Sequence, residues 1–484
     1  MKDTKLIQIL KTFTKEEIKN FEKFVASPYF SHGRDLTPFY KIMKSYYPDF
    51  ENSKFTAEKI FSKLHPEEKF NKSKAENVLR VLSFELTKMA EEFLATEFAR
   101  SNKFRERINL LDALIKKNLD KQFSNLFSDS LNNIDNLVEE YNGMHFADLY
   151  YFYMLDLKNN YNNNRADKGY IECNIYLLIY FFQCAGNLID NSGKRKMNNN
   201  IVTDDDTVEH FTASIDFSNF ISYLKNKKGI RKQDKDILEM CLYNYMLSID
   251  KQNVTLADKT ADLFYKYRHL FSDDTKLNFF TVLHNVYSEV NDKEKLYILY
   301  NKILDDDIFN PEKGHQISFV LYRLIIQNFT DLSKLTEAES FILRYTHFLN
   351  SDKKESFYNF GFALIEFKRN NFEKALGYVS KVEMIFLLFK YDIRNLYLMI
   401  YYKLEYSDEA YSLLDSYKHF LKNNKDVSDE KRELNDNFAC YYRKLLSAKL
   451  SGNSSDLYET MKKLTDENKI VHKEWLLEQF SDLI

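Results

Sequence analysis

Gly186 and the Gly193-Lys194 pair come nearest to a phosphate-binding loop, with six residues between the glycines and Arg195 after the lysine. A P-loop reads G-x-x-x-x-G-K-[ST], because the terminal hydroxyl ligates magnesium. Neither the spacing nor the last residue fits, so no nucleotide site is read here. Glu312-x-x-His315 has the spacing of half a di-iron site, but such bundles need two of these pairs and two further inward glutamates. The single pair follows Pro311 and reads as a helix start. No HExxH or GxSxG occurs, so zincin and serine-hydrolase chemistry have no motif to rest on. Two aspartate runs, Asp204–Asp206 and Asp305–Asp307, lack the alternating ligands and turn glycine of an EF-hand loop. They read as solvated loop or helix-end charge. No catalytic, cofactor-binding or metal-ligating residue is assigned, and the chain is not expected to be an enzyme. An active site built from residues distant in sequence is the alternative left open.

One basic cluster stands out, Lys225-Asn-Lys-Lys-Gly-Ile-Arg-Lys-Gln-Asp-Lys235, with six positive charges against one negative. Together with Lys194-Arg195-Lys196, its side chains Lys225, Lys227, Lys228, Arg231 and Lys232 could contact phosphates. A solvated loop between two helices explains the same residues without a nucleic acid, and that reading is favoured. Globally, 69 Lys and Arg nearly balance 72 Asp and Glu for a net charge of −3, which supplies no field for nucleic acid or anionic membrane.

These residues must be positioned by helices. Only five prolines occur, four of them at Pro28, Pro38, Pro48 and Pro66. Beyond them only Pro311 interrupts the chain, so long helices are permitted. Ten glycines in 484 residues point the same way, and 44% hydrophobic with 29% charged residues is ordinary globular usage. The 34 tyrosines and 41 phenylalanines accompany a bias toward Asn, Lys and Ile. That bias is compositional and marks no function. The four cysteines form no CxxC, and Cys173 and Cys184 are eleven residues apart on one apolar helical stretch. Eleven residues of helix span roughly 16 Å, too far for a disulfide. Reduced, mostly buried thiols in a cytoplasmic protein are expected. The apolar run Leu6 to Leu10 is too short for a signal-peptide core. Ile175 to Ile189, interrupted by Gln183 and Asn187, falls short of a membrane span and reads as a core helix.

The fold class expected is all-α. Residues 1–100 form an N-terminal domain of four or five short helices. Thr14-x-x-Glu17 and Ser73-x-x-Glu76 are capping boxes, and the first helix run must stop at Ser27-Pro28. Residues 101–190 read as helical hairpins, 191–210 as a long polar loop, and 211–484 as a repeat array.

The array rests on Asn359 to Val382. Ala363 and Ala375 are small residues twelve positions apart on two helices, with Asn370-Asn371-Phe372 as the turn between them. Ala410 follows Ala375 after 35 residues, with Leu414 and Tyr417 repeating the pattern. This stretch resembles the tetratricopeptide repeat, in which paired helices pack through small residues at a period of about 34. Further copies align on Ala257, Leu296, Ala338 and Leu457, at successive gaps of 39, 42, 37, 35 and 47. The family's Trp and Pro positions are missing. The resemblance covers roughly 235–465 and implies an α-solenoid of irregular helical hairpins. Leu10-Lys-Thr-Phe-Thr-Lys-Glu-Glu to Phe21-Glu-Lys-Phe-Val-Ala-Ser-Pro-Tyr-Phe resembles the start of a group of bacterial helical proteins, a likeness that carries no activity.

Such arrays carry a groove along their first helices that takes peptides or partner proteins. The resemblance therefore implies a scaffold or adaptor, with a nucleic-acid-associated regulator using the 225–235 loop as the alternative. The first helices are read as Phe357 to Lys368 and Ile393 to Leu404. Glu366 and Lys403 are expected on the groove, and Tyr358, Arg394 and Tyr401 join them because such residues are enriched at binding hot spots.

Overall fold

The computed structural model describes residues 4–484 except 31–32, 52–54, 138–139, 161–166, 200–204, 310–315, 350–353, 384–386, 424–428 and 452–456. The described residues are α-helical with short turns and no strand beyond two isolated bridges, so the fold is all-α. Pro311, Glu312, His315 and Asp204 lie outside them.

The chain divides into two compact units, Met1–Glu139 and Glu140–Ile484. The first unit runs past residue 100, where the sequence places the end of its N-terminal domain, and includes three further helices. That unit holds α1 (Lys5–Thr12), α2 (Lys15–Val25), α3 (Thr37–Lys44), α4 (Ala57–Leu64), α5 (Lys72–Ser101), α6 (Lys103–Lys116), α7 (Asp120–Asn132) and α8 (Ile134–Leu137). The capping box at Thr14 forms as the sequence implies. Its side chain accepts from Glu17 N at 3.1 Å while Glu17 accepts from Thr14 N at 2.6 Å. The second box does not form. Asn71, two residues earlier, caps α5 by accepting from Lys74 N at 3.0 Å, leaving Ser73 inside the helix. α5 is 30 residues long, so the domain is not made of short helices alone. It packs on α1, α2 and α4. There Phe93 meets Phe13, Phe21 and Phe24 with ring centroids 5.2–5.5 Å apart, at the tilted angles aromatic quadrupoles favour.

The second unit begins with α9 (His145–Asn159) and α10 (Asp167–Asn199). α10 packs on α9 and on the later α13, burying Ile175, Tyr176, Ile179, Phe182 and Ala185 as the core-helix reading requires. It continues through residues 191–199, which the sequence assigned to a polar loop. The apolar periodicity that marks a buried face is lost at Asn191, but a helix needs no such periodicity, and Lys and Arg are themselves good helix formers. After α11 (Thr207–Ala213) and α12 (Phe217–Asn226) come the helix pairs. They are α13 (Lys232–Ile249) with α14 (Val254–Tyr267), α15 (Asp273–Glu289) with α16 (Lys293–Asp305), and α17 (Phe319–Asp331) with α18 (Leu335–Tyr345). α19 (Lys354–Lys368) with α20 (Phe372–Val379) and α21 (Leu387–Leu404) with α22 (Ser407–Asn423) follow. Last are α23 (Asp429–Ser451), α24 (Leu457–Asp466) and α25 (Lys473–Ser481). From α13 to α23 each helix packs on its sequence neighbours, and first helices also meet, α13 with α15, α17 with α19, and α19 with α21.

One turn recurs inside these pairs. Asn291, Ser333, Asn370 and Glu405 each take a left-handed backbone, with φ of 53°, 56°, 60° and 62°. The next residue's N–H bonds a carbonyl five positions back: Asp292 to Tyr287, Lys334 to Phe329, Asn371 to Glu366 and Tyr406 to Tyr401, all at 2.8–2.9 Å. This is the Schellman ending, in which one left-handed residue lets the final carbonyls find donors. Five residues beyond each turn residue stand Leu296, Ala338, Ala375 and Ala410, all buried. The register drawn from small residues is therefore the register of the turns. The remaining aligned positions, Ala257 and Leu457, are buried as well.

Candidate partner-binding surface

Polar side chains tie successive helix pairs together. Asn328 on α17 donates through Nδ2 to Lys293 O at the start of α16, at 3.0 Å. Arg323, earlier on the same helix, bonds Asp392 on α21 bidentately along one edge of its guanidinium, Nε to Oδ2 and Nη2 to Oδ1, the latter at 2.7 Å. Asn395 donates to Asn435 Oδ1 on α23 at 2.9 Å, and the same oxygen accepts from Tyr417 at 3.1 Å. Tyr442 on α23 donates to Leu398 O at 2.6 Å. α25 packs on α23 and α24, yet it also reaches α16, where Lys293 Nζ lies 2.9 Å from Glu474. Beside that contact Trp475 meets Tyr402 and Tyr442, with ring centroids 5.5 and 6.1 Å away.

The sequence candidates for the groove fall differently on this frame. Glu366 is buried, 7% exposed, and does not face a groove. Its carboxylate accepts from Asn371 Nδ2 at 2.7 Å and from Arg369 Nη1 at 3.0 Å. Burial raises its pKa, but the bonds from Asn371 and Arg369 outweigh burial and leave it below the ordinary value. Four residues before the left-handed Asn370, its side chain lies over the turn and fastens it. Tyr358 and Tyr401 are half-buried in aromatic contacts. Tyr358 lies 4.6 Å from Phe362, and Tyr401 lies 5.6 Å from Tyr397 and 6.3 Å from Tyr406. Lys403 is half-buried. Arg394 sits with its Cζ 4.1 Å above the Phe420 ring and 5.9 Å from Tyr417, where a guanidinium is held by the ring's electron-rich face.

The basic loop is partly used up. Arg231 is not an open phosphate contact: its Nε and Nη2 bond Asp234 at 2.7 and 3.1 Å, and Nη2 donates to Tyr176 OH at 2.8 Å. The Arg231-x-x-Asp234 spacing makes this pair one turn apart at the start of α13. Lys225, Lys227, Lys228 and Lys232 are exposed. Lys227 lies over Tyr223 at 5.6 Å, and Lys225 O accepts from Lys235 Nζ at 2.7 Å.

Cys173 and Cys241 are buried as expected, but Cys184 and Cys440 are exposed, on helix faces that packing leaves open. Asp205 and Asp306, one from each aspartate run, serve local structure. Asp205 accepts from Thr207 N and Oγ1 at 3.0 and 2.6 Å, and Asp306 pairs with Arg268 at 3.2 Å. Among the described residues no three His, Cys, Asp or Glu side chains converge on a metal-sized site, and no helix is long and apolar enough to cross a membrane. The Arg323–Asp392 bridge had no signal in sequence, since its partners are 69 residues apart. The stacking of Arg394 was equally unreadable, because Phe420 lies on another helix. Set against known protein families, curated proteins and solved structures, the chain matches none.

Proposed function

We propose that the 211–484 region is a tetratricopeptide-like α-solenoid that acts as a cytoplasmic scaffold or adaptor for a protein or peptide partner, without catalysis. The observation that carries this reading is the repeated turn. A left-handed residue stands five positions before a buried alanine or leucine in four successive pairs, and the first helices pack on one another at α13–α15, α17–α19 and α19–α21. Stacked pairs of this kind present a continuous surface made by their first helices, and such surfaces hold extended peptides. The step from fold to binding is one of fold class. The absence of CxxC pairs and of disulfides among the four cysteines accords with a reducing compartment.

Affinity purification with the wild-type chain beside a Tyr358→Ala/Tyr401→Ala/Lys403→Ala variant tests the surface, provided the variant still melts cooperatively. Partners recovered with wild type should be depleted with the variant. Equal recovery with both, or none with wild type, would remove the first-helix surface as the binding face.

A further inference from the structure

Among the described residues of the second unit, the arginines share one arrangement, with one departure. Arg231, Arg268, Arg323, Arg344, Arg369, Arg432 and Arg443 each have a carboxylate oxygen within 4.0 Å. Arg394 has none among the described residues. Its Nη1 donates to Lys390 O at 3.1 Å within its own helix, and its buried Nε has no acceptor. Tyr391 stands one turn earlier on the same face of α21. It is 3% exposed, and its hydroxyl is also buried without a partner. Both side chains converge on one ring, since Tyr391 lies 5.3 Å and Arg394 4.1 Å from Phe420.

A guanidinium does not deprotonate in a protein, so burial that works against the Arg394 charge is a standing cost. A buried hydroxyl without an acceptor adds to it. An anion with two oxygens would offset both at once, accepting from the guanidinium and from the hydroxyl. Arg432 adds a second positive charge close enough to act on the Tyr391 hydroxyl, although Asp429 is already bonded to it. We propose that Arg394 and Tyr391 form an oxyanion site that receives an acidic side chain, a carboxylate or a phosphoryl group, from a peptide partner. The choice of a peptide over a free anion rests on the scaffold reading; the oxyanion site itself does not.

The test has two arms. Fluorescence anisotropy would follow a labelled hexaglutamate peptide and a labelled phosphoserine peptide on the full chain. Melting would be compared in sodium sulfate and in sodium chloride at equal ionic strength. Arg394→Gln should weaken the peptide that binds by about tenfold or more, as loss of a charge-assisted bond does. Tyr391→Phe should weaken it several-fold, and Lys462→Gln, an exposed charge on α24, should leave it unchanged. Whichever peptide binds identifies the oxyanion. If sulfate raises Tm for wild type but not for Arg394→Gln while neither peptide binds, the site stands and the scaffold reading falls. Equal binding by wild type and Arg394→Gln, or no effect of either peptide or sulfate, overturns the site. Should Arg394→Gln not fold, Arg394→Lys keeps the charge but loses the fork, and the same losses in smaller measure are expected.

Discussion

Arg323 on α17 and Asp392 on α21 form a bidentate bridge, Nε and Nη2 of the guanidinium to the two carboxylate oxygens, across the pair that α19 begins. Their side chains are 22% and 11% exposed, so the contact is largely withdrawn from water. Taking away one partner strands the other charge, a lesion that costs about 3–5 kcal/mol in a fully buried pair. Residual access to solvent reduces that figure. Asp392→Ala should destabilise the second unit by about 2–4 kcal/mol in urea denaturation. Arg323→Met/Asp392→Leu should recover most of the loss, since it removes both charges. A loss under about 1 kcal/mol for Asp392→Ala would mean that the bridge is held by its surroundings rather than holding them.

Ser333 pays the left-handed penalty, φ 56°, at an exposed position. A side chain in that conformation costs roughly 1–2 kcal/mol, and glycine escapes it at an entropic cost of about 0.5–1 kcal/mol. Ser333→Gly should therefore raise stability by about 0.5–1 kcal/mol, and Ser333→Val, branched at Cβ, should lower it by about 1–2 kcal/mol. Opposite shifts of the urea midpoint in the two variants are the result to look for. A common direction would deny the turn its left-handed residue.

His145 gives the second unit a pH dependence. The ring is 6% exposed and stacked on Tyr141 at 4.5 Å, and burial drives its pKa from the ordinary 6.5 down to about 3. Below pH 6.5 the unfolded chain takes up a proton that the folded chain refuses. This contribution to stability is thus complete above pH 6.5 and is lost as pH falls toward 3. Each pH unit in that window is worth about 1.4 kcal/mol. Between pH 6.5 and pH 5 the wild type should lose about 2 kcal/mol more than His145→Phe does. Parallel pH profiles for the two proteins would show that His145 is charged when folded.

The parts of the fold that sequence displays are those set by local or periodic chemistry. Thr14 and Glu17 are three residues apart and cap one another, so the pattern is the structure. The small residues Ala338, Ala375 and Ala410 mark the repeat because a buried helix contact leaves room for little else. The features that sequence hides depend on competition or distance. Asn71 outcompetes Ser73 as a cap, and both suit the position equally well on paper. Glu366 lies on a first helix like a groove residue, but only the turn at Asn370 shows why it faces inward. Arg231 belongs to a basic run by composition, yet Asp234 a turn later claims it. Arg394 draws notice by residue type alone; that its Nε finds no acceptor among the described residues is visible only in three dimensions.

Gly361 is the small position that composition did not reveal. It lies in α19, two residues before Ala363, where α19 crosses α17 and α18. A methyl group there would stand 2.6 Å from Ile342 Cδ1, 3.0 Å from Ile342 Cγ1 and 3.2 Å from Ile326 Cδ1. Ile342 is itself fully buried, so its terminal carbon has no open space to enter. Alanine in place of a helical glycine ordinarily gains about 1 kcal/mol, whereas overpacking costs about 1–3 kcal/mol. The contact distances decide for the second, and Gly361→Ala should destabilise by about 1 kcal/mol. Ile342→Val removes the closest carbon. Alone it should cost about 0.5–1.5 kcal/mol, but alongside Ala at position 361 the deleted carbon becomes the space the new methyl needs. The double variant should then be more stable than the sum of the single changes by about 1–2 kcal/mol, a coupling within the range found for residues in contact. Additive effects in this cycle would place the α18–α19 interface further from Gly361 than the structure has it.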